Sequence, residues 1–299
     1  MIKLLQALWA YKPPLRQRFA GGGNAHASFV WMEKSSGASI EKEWLPRWSG
    51  YLTLIQMVGK WAQGIESGKV HYSAKMESCL AAFIALYDDY TDDFELKHHQ
   101  ILELLKSDSP KDSRQRLSIF LYKKILEIHP NPAFFEELLY KGGAAQDLSL
   151  KQKEVGTSQE ILWEVTHKKG GYFTLICFSG FIKDFTEAQQ DYIYELGANI
   201  QLLNDTFDVY KDTQAGIFTL PDTAPSIAAF ASFYEERISN WMKREIPFPV
   251  DAARQSSLRA QFALPFATGM VCLKQFKALE TKYGAFTPAN FSRNELVCD

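Results

Sequence analysis

From about residue 41 to residue 283 the apolar residues recur at helical spacing, with no convincing strand alternation and no Asn-Gly hairpin. That periodicity predicts helices near residues 41 to 66, 70 to 106, 112 to 129, 147 to 168, 171 to 184, 187 to 213, 224 to 245 and 250 to 283. The punctuation between them is helical as well. "SPKDSRQRL" reads as a start, "HPNPAFFEELL" as a stop and restart, and Thr186 before "EAQQDYIYEL" as an N-cap. The expected fold class is all-α, with residues 1-299 forming a single large helical bundle. Several candidates exceed the usual length of about 11 residues, which favours long rods around a deep central cavity. The exception is an irregular segment at about 11-40, where Pro13-Pro14, Gly21 to Gly23 and Ser35-Ser36 interrupt any period. No internal repeat is present.

A chain of 299 residues with 46% hydrophobic and 23% charged residues can bury a substantial core. Its net charge of -2 offers no general attraction to nucleic acid or to an anionic membrane. The four cysteines, Cys79, Cys177, Cys272 and Cys298, stand far apart without metal-ligand spacing and read as reduced thiols of a cytoplasmic protein. "MIKLLQALWAYKPPLRQR" runs into Pro-Pro and arginines instead of a small-residue cleavage site. No run reaches the roughly 18 apolar residues of a membrane span. The expectation is no integral membrane segment and no nucleic-acid partner; peripheral membrane contact and a homodimer are both compatible with the composition.

Two dense carboxylate clusters interrupt the apolar pattern. In "LYDDYTDDFE", Asp88 and Asp92 are four residues apart, as are Asp89 and Asp93, so each pair shares a helix face. In "LLNDTFDVYKD", Asn204, Asp208 and Asp212 recur every four residues with Asp205 beside them. Oxygen-only ligands of this kind suit Mg²⁺, which keeps part of its water shell and shares the rest with substrate phosphates. Leu202, Leu203, Phe207, Val209 and Tyr210 interleave with the second set as a half-buried helix requires. Burial turns like charges into a demand for a cation. The alternative is a pair of solvated helix faces.

"LGANIQLLNDTFDVYKDTQAGIFTLP" resembles the second metal-binding region of the squalene and phytoene synthase family, matching at Gly197, Gln201, Asn204, Asp208, Asp212, Gly216, Leu220 and Pro221 without a gap. "YDDYTDDF" is similar to the first aspartate-rich motif of the class I isoprenoid synthases, which include terpene cyclases and head-to-tail prenyl diphosphate synthases. Together the motifs span roughly residues 80 to 222. The chain departs from squalene and phytoene synthases at "VTHKKGGYFTLICF", which looks more like the helix break of head-to-tail synthases or the broken helix of terpene cyclases. A helix end capped by Gly170-Gly171 is the plainer alternative. The second cluster also overlaps the terpene cyclase pattern, with Asp208 where that pattern has a hydroxyl residue and Asp212 where it has a glutamate. No D-x-D-D sequence occurs.

The resemblance implies an isoprenoid synthase fold and a Mg²⁺ cluster that bridges the diphosphate of an allylic prenyl diphosphate. Metal would be held by Asp88, Asp89, Asp92, Asn204, Asp208 and Asp212, with Asp88, Asp92, Asn204, Asp208 and Asp212 catalytic. A terpene synthase comes first, head-to-head coupling of the squalene/phytoene type second, and head-to-tail condensation third. Lys168 or Lys169, Lys211 and the Lys282-Tyr283 pair are candidate diphosphate contacts, while Phe83, Tyr87, Phe173, Phe178 and Phe207 are candidate cation-stabilising aromatics. Local salt bridges and ordinary core packing are the competing roles. "TQAGIFTLP" reads either as part of a lid or as a plain connection. Two Glu-x-x-His motifs, Glu95 to His98 and Glu164 to His167, allow a ferritin-like di-iron bundle instead. A helical scaffold or lipid carrier without catalysis is the third class.

Overall fold

Side-chain oxygens start the helices at residues of the types expected. In the computed structural model, which describes residues 22–65 and 73–284, Ser73 accepts from the Met76 amide, Asp112 from Gln115, Ser226 from Ala229 and Asp251 from Arg254. Thr186 accepts from the Gln189 amide, and the Gln189 side chain returns the bond to the Thr186 amide.

The chain is all-α, with twelve α-helices and no strand among the described residues. They are α1 Gly22–Ser36, α2 Trp44–Ile65, α3 Ala74–Asp92, α4 His98–Lys106, α5 Ser113–Ile128 and α6 Pro132–Ser149. A 3₁₀ turn, Leu150–Lys153, leads to α7 Gln159–Ser179, α8 Glu187–Phe207, α9 Val209–Gln214, α10 Leu220–Thr223, α11 Ile227–Lys243 and α12 Ala252–Tyr283. Among the described residues no helix is long and apolar enough to cross a membrane.

Besides the helix expected from residue 147, which starts only at Gln159 after α6 and the 3₁₀ turn, five boundaries differ from the sequence expectation. Residues 22–36 of the segment read as irregular are helical, because Phe29 and Met32 can be buried on one side; residues 11–21 lie outside the described residues. The run expected over 70 to 106 is two helices. Asp93 and Phe94 both donate their amides to the Asp89 carbonyl, and Glu95 takes a left-handed conformation with φ 52 before α4 begins. Past Thr91 the chain has only exposed residues as far as Glu95, so nothing holds the helix on course. Helix α6 occupies residues read as a mere restart; Pro132 suits a first helical position, and Phe135, Leu138 and Leu139 bury one face.

The fourth difference is at Gly170-Gly171, which neither break nor end a helix but lie inside the continuous α7. A Cβ on Gly170 would overlap the Gly197 carbonyl, one on Gly197 the Gly170 carbonyl, and one on Gly171 the Tyr194 ring. These glycines let α7 and α8 approach backbone to backbone. The fifth is at Asp208, where the expected 187 to 213 helix changes conformation and passes into α9.

The chain divides into two compact units: residues up to Tyr140 with Ile176–Asp184, and Lys141–Leu175 with Phe185 onward. In the first, α3 is the central helix, packed by α1, α2, α4 and α5 and buried along almost all of its length. In the second, α8 plays that part among α9, α10, α11 and α12. Each fully buried large side chain, such as Phe135 and Phe181 in the first or Tyr234 and Phe262 in the second, contributes about 1.5–3 kcal/mol.

Candidate functional site

Each unit places its acidic cluster at the C-terminal end of its central helix. Asp88, Asp89 and Asp92 occupy the last turn of α3, while Asn204 and Asp205 occupy the last turn of α8 and Asp208 closes it. A helix C-terminus carries partial negative charge, so these are the least favourable helical positions for carboxylates.

The first cluster meets this charge with arginine. The Arg47 guanidinium forks across two residues, with Nη2 2.7 Å from the Asp88 carboxylate and Nη1 bonded to Asp89. Tyr51, one turn further along α2, donates its hydroxyl to the same Asp88 oxygen at 2.8 Å. The other oxygen of Asp89 faces Arg114 Nη1 at 3.5 Å, and the Arg114 guanidinium lies over the rings of Trp44 and Phe94 at 4.7 and 4.8 Å. Burial pushes the Asp89 carboxyl above the usual range against the pull of both arginines. Asp92 and Asp93 are exposed.

In the second cluster Asp205 is the buried member. Its two oxygens accept from Thr166 at 2.7 Å and Gln201 at 2.8 Å, and burial raises its carboxyl despite those bonds and the nearby Lys169 ammonium. Helical hydrogen bonds from the Asp208 amide to the Asn204 carbonyl and from the Asp212 amide to the Asp208 carbonyl, both 2.8 Å, carry the one-turn spacing of these side chains across the break. Asn204 Nδ2 stands 3.5 Å from Asp208, and Lys211 Nζ 3.8 Å. Burial, followed by the charges of Asp205 and Asp208, pushes the Asp212 carboxyl up to about 7, against Lys211 and Lys169.

Beyond Asp212 the chain turns at Gly216, in the left-handed region at φ 68, and the Ile217 amide bonds to the Asp212 carbonyl. Phe218 is clasped by the 3₁₀ turn: its amide donates to the Gln152 carbonyl at 2.7 Å, and the Gln152 side chain donates to the Phe218 carbonyl at 3.3 Å. Thr219, Leu220 and Pro221 are buried. The segment is an anchored connection.

The structure separates the candidate lysines. Lys169 lies near Asp205 and Asp212, whereas Lys168 bonds Glu164 at 2.6 Å on the exposed side of α7. Lys282 lies over the ring of Tyr283 at 4.8 Å, in the last turn of α12. Phe83 is core, packed near Tyr87, Tyr122 and Phe135, and Phe178 is fully buried. Tyr87 bonds His98 through its hydroxyl, Phe173 is half-buried and Phe207 is exposed beside the second cluster.

Of the two Glu-x-x-His motifs, Glu164 to His167 lies on one face of α7, whereas Glu95 to His98 does not share a helix face. Glu95 sits in the turn before α4, while Glu164 pairs with Lys168 and His167 with Glu195, itself bound by Arg237. Sequence reasoning missed Arg47, Tyr51, Arg114 and Thr166, since nothing in their local patterns names partners some 25 to 42 residues away. The Gln201 to Asp205 pair, four apart on one helix, was within its reach.

Among the described residues no group of three or more histidines, cysteines and acids closes into a ready-made cage. Mg²⁺ does not need one, because it binds through one or two carboxylates completed by water and phosphate oxygens. A row of Asn204, Asp208 and Asp212, with the last carboxyl raised by burial and then by its acidic neighbours, fits that donor chemistry.

The raised Asp212 carboxyl has a pH signature. Between about pH 4 and 7 the unfolded chain has lost this proton while the folded chain keeps it, so the group's contribution to stability falls as pH rises through about 7. Asp212→Asn is therefore expected to gain on the wild type in thermal stability as pH rises from about 4 to 7 in chelator, with the gain level above that, and Mg²⁺ to reduce the difference at the alkaline end. Parallel melting curves with no pH-dependent difference would refute the assignment.

Compared with protein-family models, curated proteins and solved structures, the chain matches none of them.

Proposed function

We propose that the chain is a Mg²⁺-dependent class I terpene synthase, which ionises an allylic prenyl diphosphate by loss of diphosphate. The observation that carries this reading is that the central helix of each unit ends in a carboxylate cluster. Both clusters fall within motifs similar to those of the isoprenoid synthases. Charge concentrated at the negative end of a helix calls for compensation, which arginines and a tyrosine supply at the first cluster and which a bound cation would complete at both.

Asp88, Asp89 and Asp92 at the end of α3 would hold metal, as would Asn204 and Asp208 at the end of α8 together with Asp212 in α9. Bound Mg²⁺ supplies charge neutralisation that makes diphosphate a better leaving group. Lys169 and Lys211, beside the second cluster, orient diphosphate oxygens by charge-assisted hydrogen bonds. Phe207, exposed next to Asp208, is the aromatic face nearest these ligands in sequence.

The experiment is pyrophosphate release with Mg²⁺ from prenyl diphosphates of increasing chain length, with extraction of hydrocarbons from the same tubes. Release with a product of unchanged carbon number is expected. A second reading, head-to-head coupling, is favoured by the gap-free run from Gly197 to Pro221 and predicts doubled carbon number. No release at any chain length from folded protein would sink both.

A further inference from the structure

The first acidic cluster already contains a cation. The Arg47 fork joins Asp88 to Asp89. Asp88 also accepts from Tyr51, so α2 covers the end of α3 with two polar groups one turn apart. The two arginines differ in how firmly they are held. Arg114 has a side chain 20% exposed and packs over two aromatic rings, whereas the Arg47 side chain is 39% exposed.

We propose that Arg47 is a resident counter-ion that a divalent metal must displace, and that the arriving diphosphate is what takes it. The inference rests on reading the first cluster as a metal site. A guanidinium and a hard cation compete for the same carboxylate lone pairs, and the guanidinium fork matches diphosphate oxygens as well as it matches carboxylates. With no diphosphate, Arg47 keeps the cluster neutralised and metal loading weak. With diphosphate, Arg47 exchanges one anion for another and Asp88 and Asp89 are released to metal. Arg114 stays behind to compensate the buried Asp89. Metal and diphosphate then load together, and the site is not filled by metal alone.

The test measures Mn²⁺ binding by electron paramagnetic resonance to the full chain, for the wild type, Arg47→Met and Arg47→Lys, with and without inorganic diphosphate. Without diphosphate, Arg47→Met is expected to bind Mn²⁺ about tenfold more tightly than the wild type, equivalent to losing one competing ion pair. Arg47→Lys, which keeps the charge but loses the fork, falls between them and serves alone if the methionine variant does not fold. Added diphosphate narrows the gap, and Asp88→Asn in the Arg47→Met background abolishes the gain. Equal affinities across the folded variants, or a gain that survives Asp88→Asn, would overturn the exchange. The two readings fail separately. Pyrophosphate release by the wild type without any Mn²⁺ gain removes only the exchange, whereas a Mn²⁺ gain without release from any prenyl diphosphate removes only the enzyme assignment.

Discussion

Asp208→Ala is expected to lower Mg²⁺-dependent pyrophosphate release by about 10²–10³-fold or more, with helical content and the unfolding transition nearly unchanged. The separation of activity from stability follows from how loosely Asp208 is held. Its side-chain neighbours, Asn204 at 3.5 Å and Lys211 at 3.8 Å, are at the limit of useful contact, and the helical bonds across the break come from the backbone. Asp88→Ala is expected to lower activity alike but to cost more stability than Asp208→Ala, because Arg47 still has Asp89 while Tyr51 loses this acceptor. Asp89→Ala differs: it strips two guanidiniums of a buried partner, and the folded protein itself should suffer. Wild-type rates in Asp208→Ala and Asp88→Ala, measured over a range of Mg²⁺, would end the metal reading.

The second large effect is on stability. Gly170→Ala is expected to destabilise the chain by about 3 kcal/mol or more, at the upper end of what overpacking usually costs. The added methyl meets the Gly197 carbonyl and the Gln201 side chain, and a backbone atom cannot rotate aside. Gly50→Ala is the internal control. It lies in α2 with nothing within 4 Å of the new Cβ, so helix propensity alone acts and the variant should gain up to about 1 kcal/mol. Urea unfolding of the pair decides the matter: equal shifts would show that α7 and α8 separate easily.

Fold class was legible because apolar periodicity and capping chemistry are local. Thr186, Asp112 and Asp251 cap where their residue types and the following apolar spacing agree. Gly170-Gly171 was misread for the complementary reason. In one dimension paired glycines signal a stop, and only the approach of Gly197 from another helix makes them a contact. The same limit applies to the acids. Their one-turn spacing is written in the sequence, whereas Arg47 against Asp88, Arg114 against Asp89 and Thr166 against Asp205 are pairings between helices. The conformational change at Asp208 was invisible because the residues around it keep helical spacing and only the dihedrals depart from it.

The clasp between Gln152 and Phe218 implies an asymmetry in what mutation can reach. Both bonds go to the main chain of Phe218, while one of them leaves from the side chain of Gln152. At this joint, position 218 therefore accepts any residue that keeps its amide, whereas position 152 needs a side chain that can donate. Drift at 218 leaves the attachment intact, while the freedom of its neighbours is set by the left-handed Gly216 and the buried Thr219, Leu220 and Pro221.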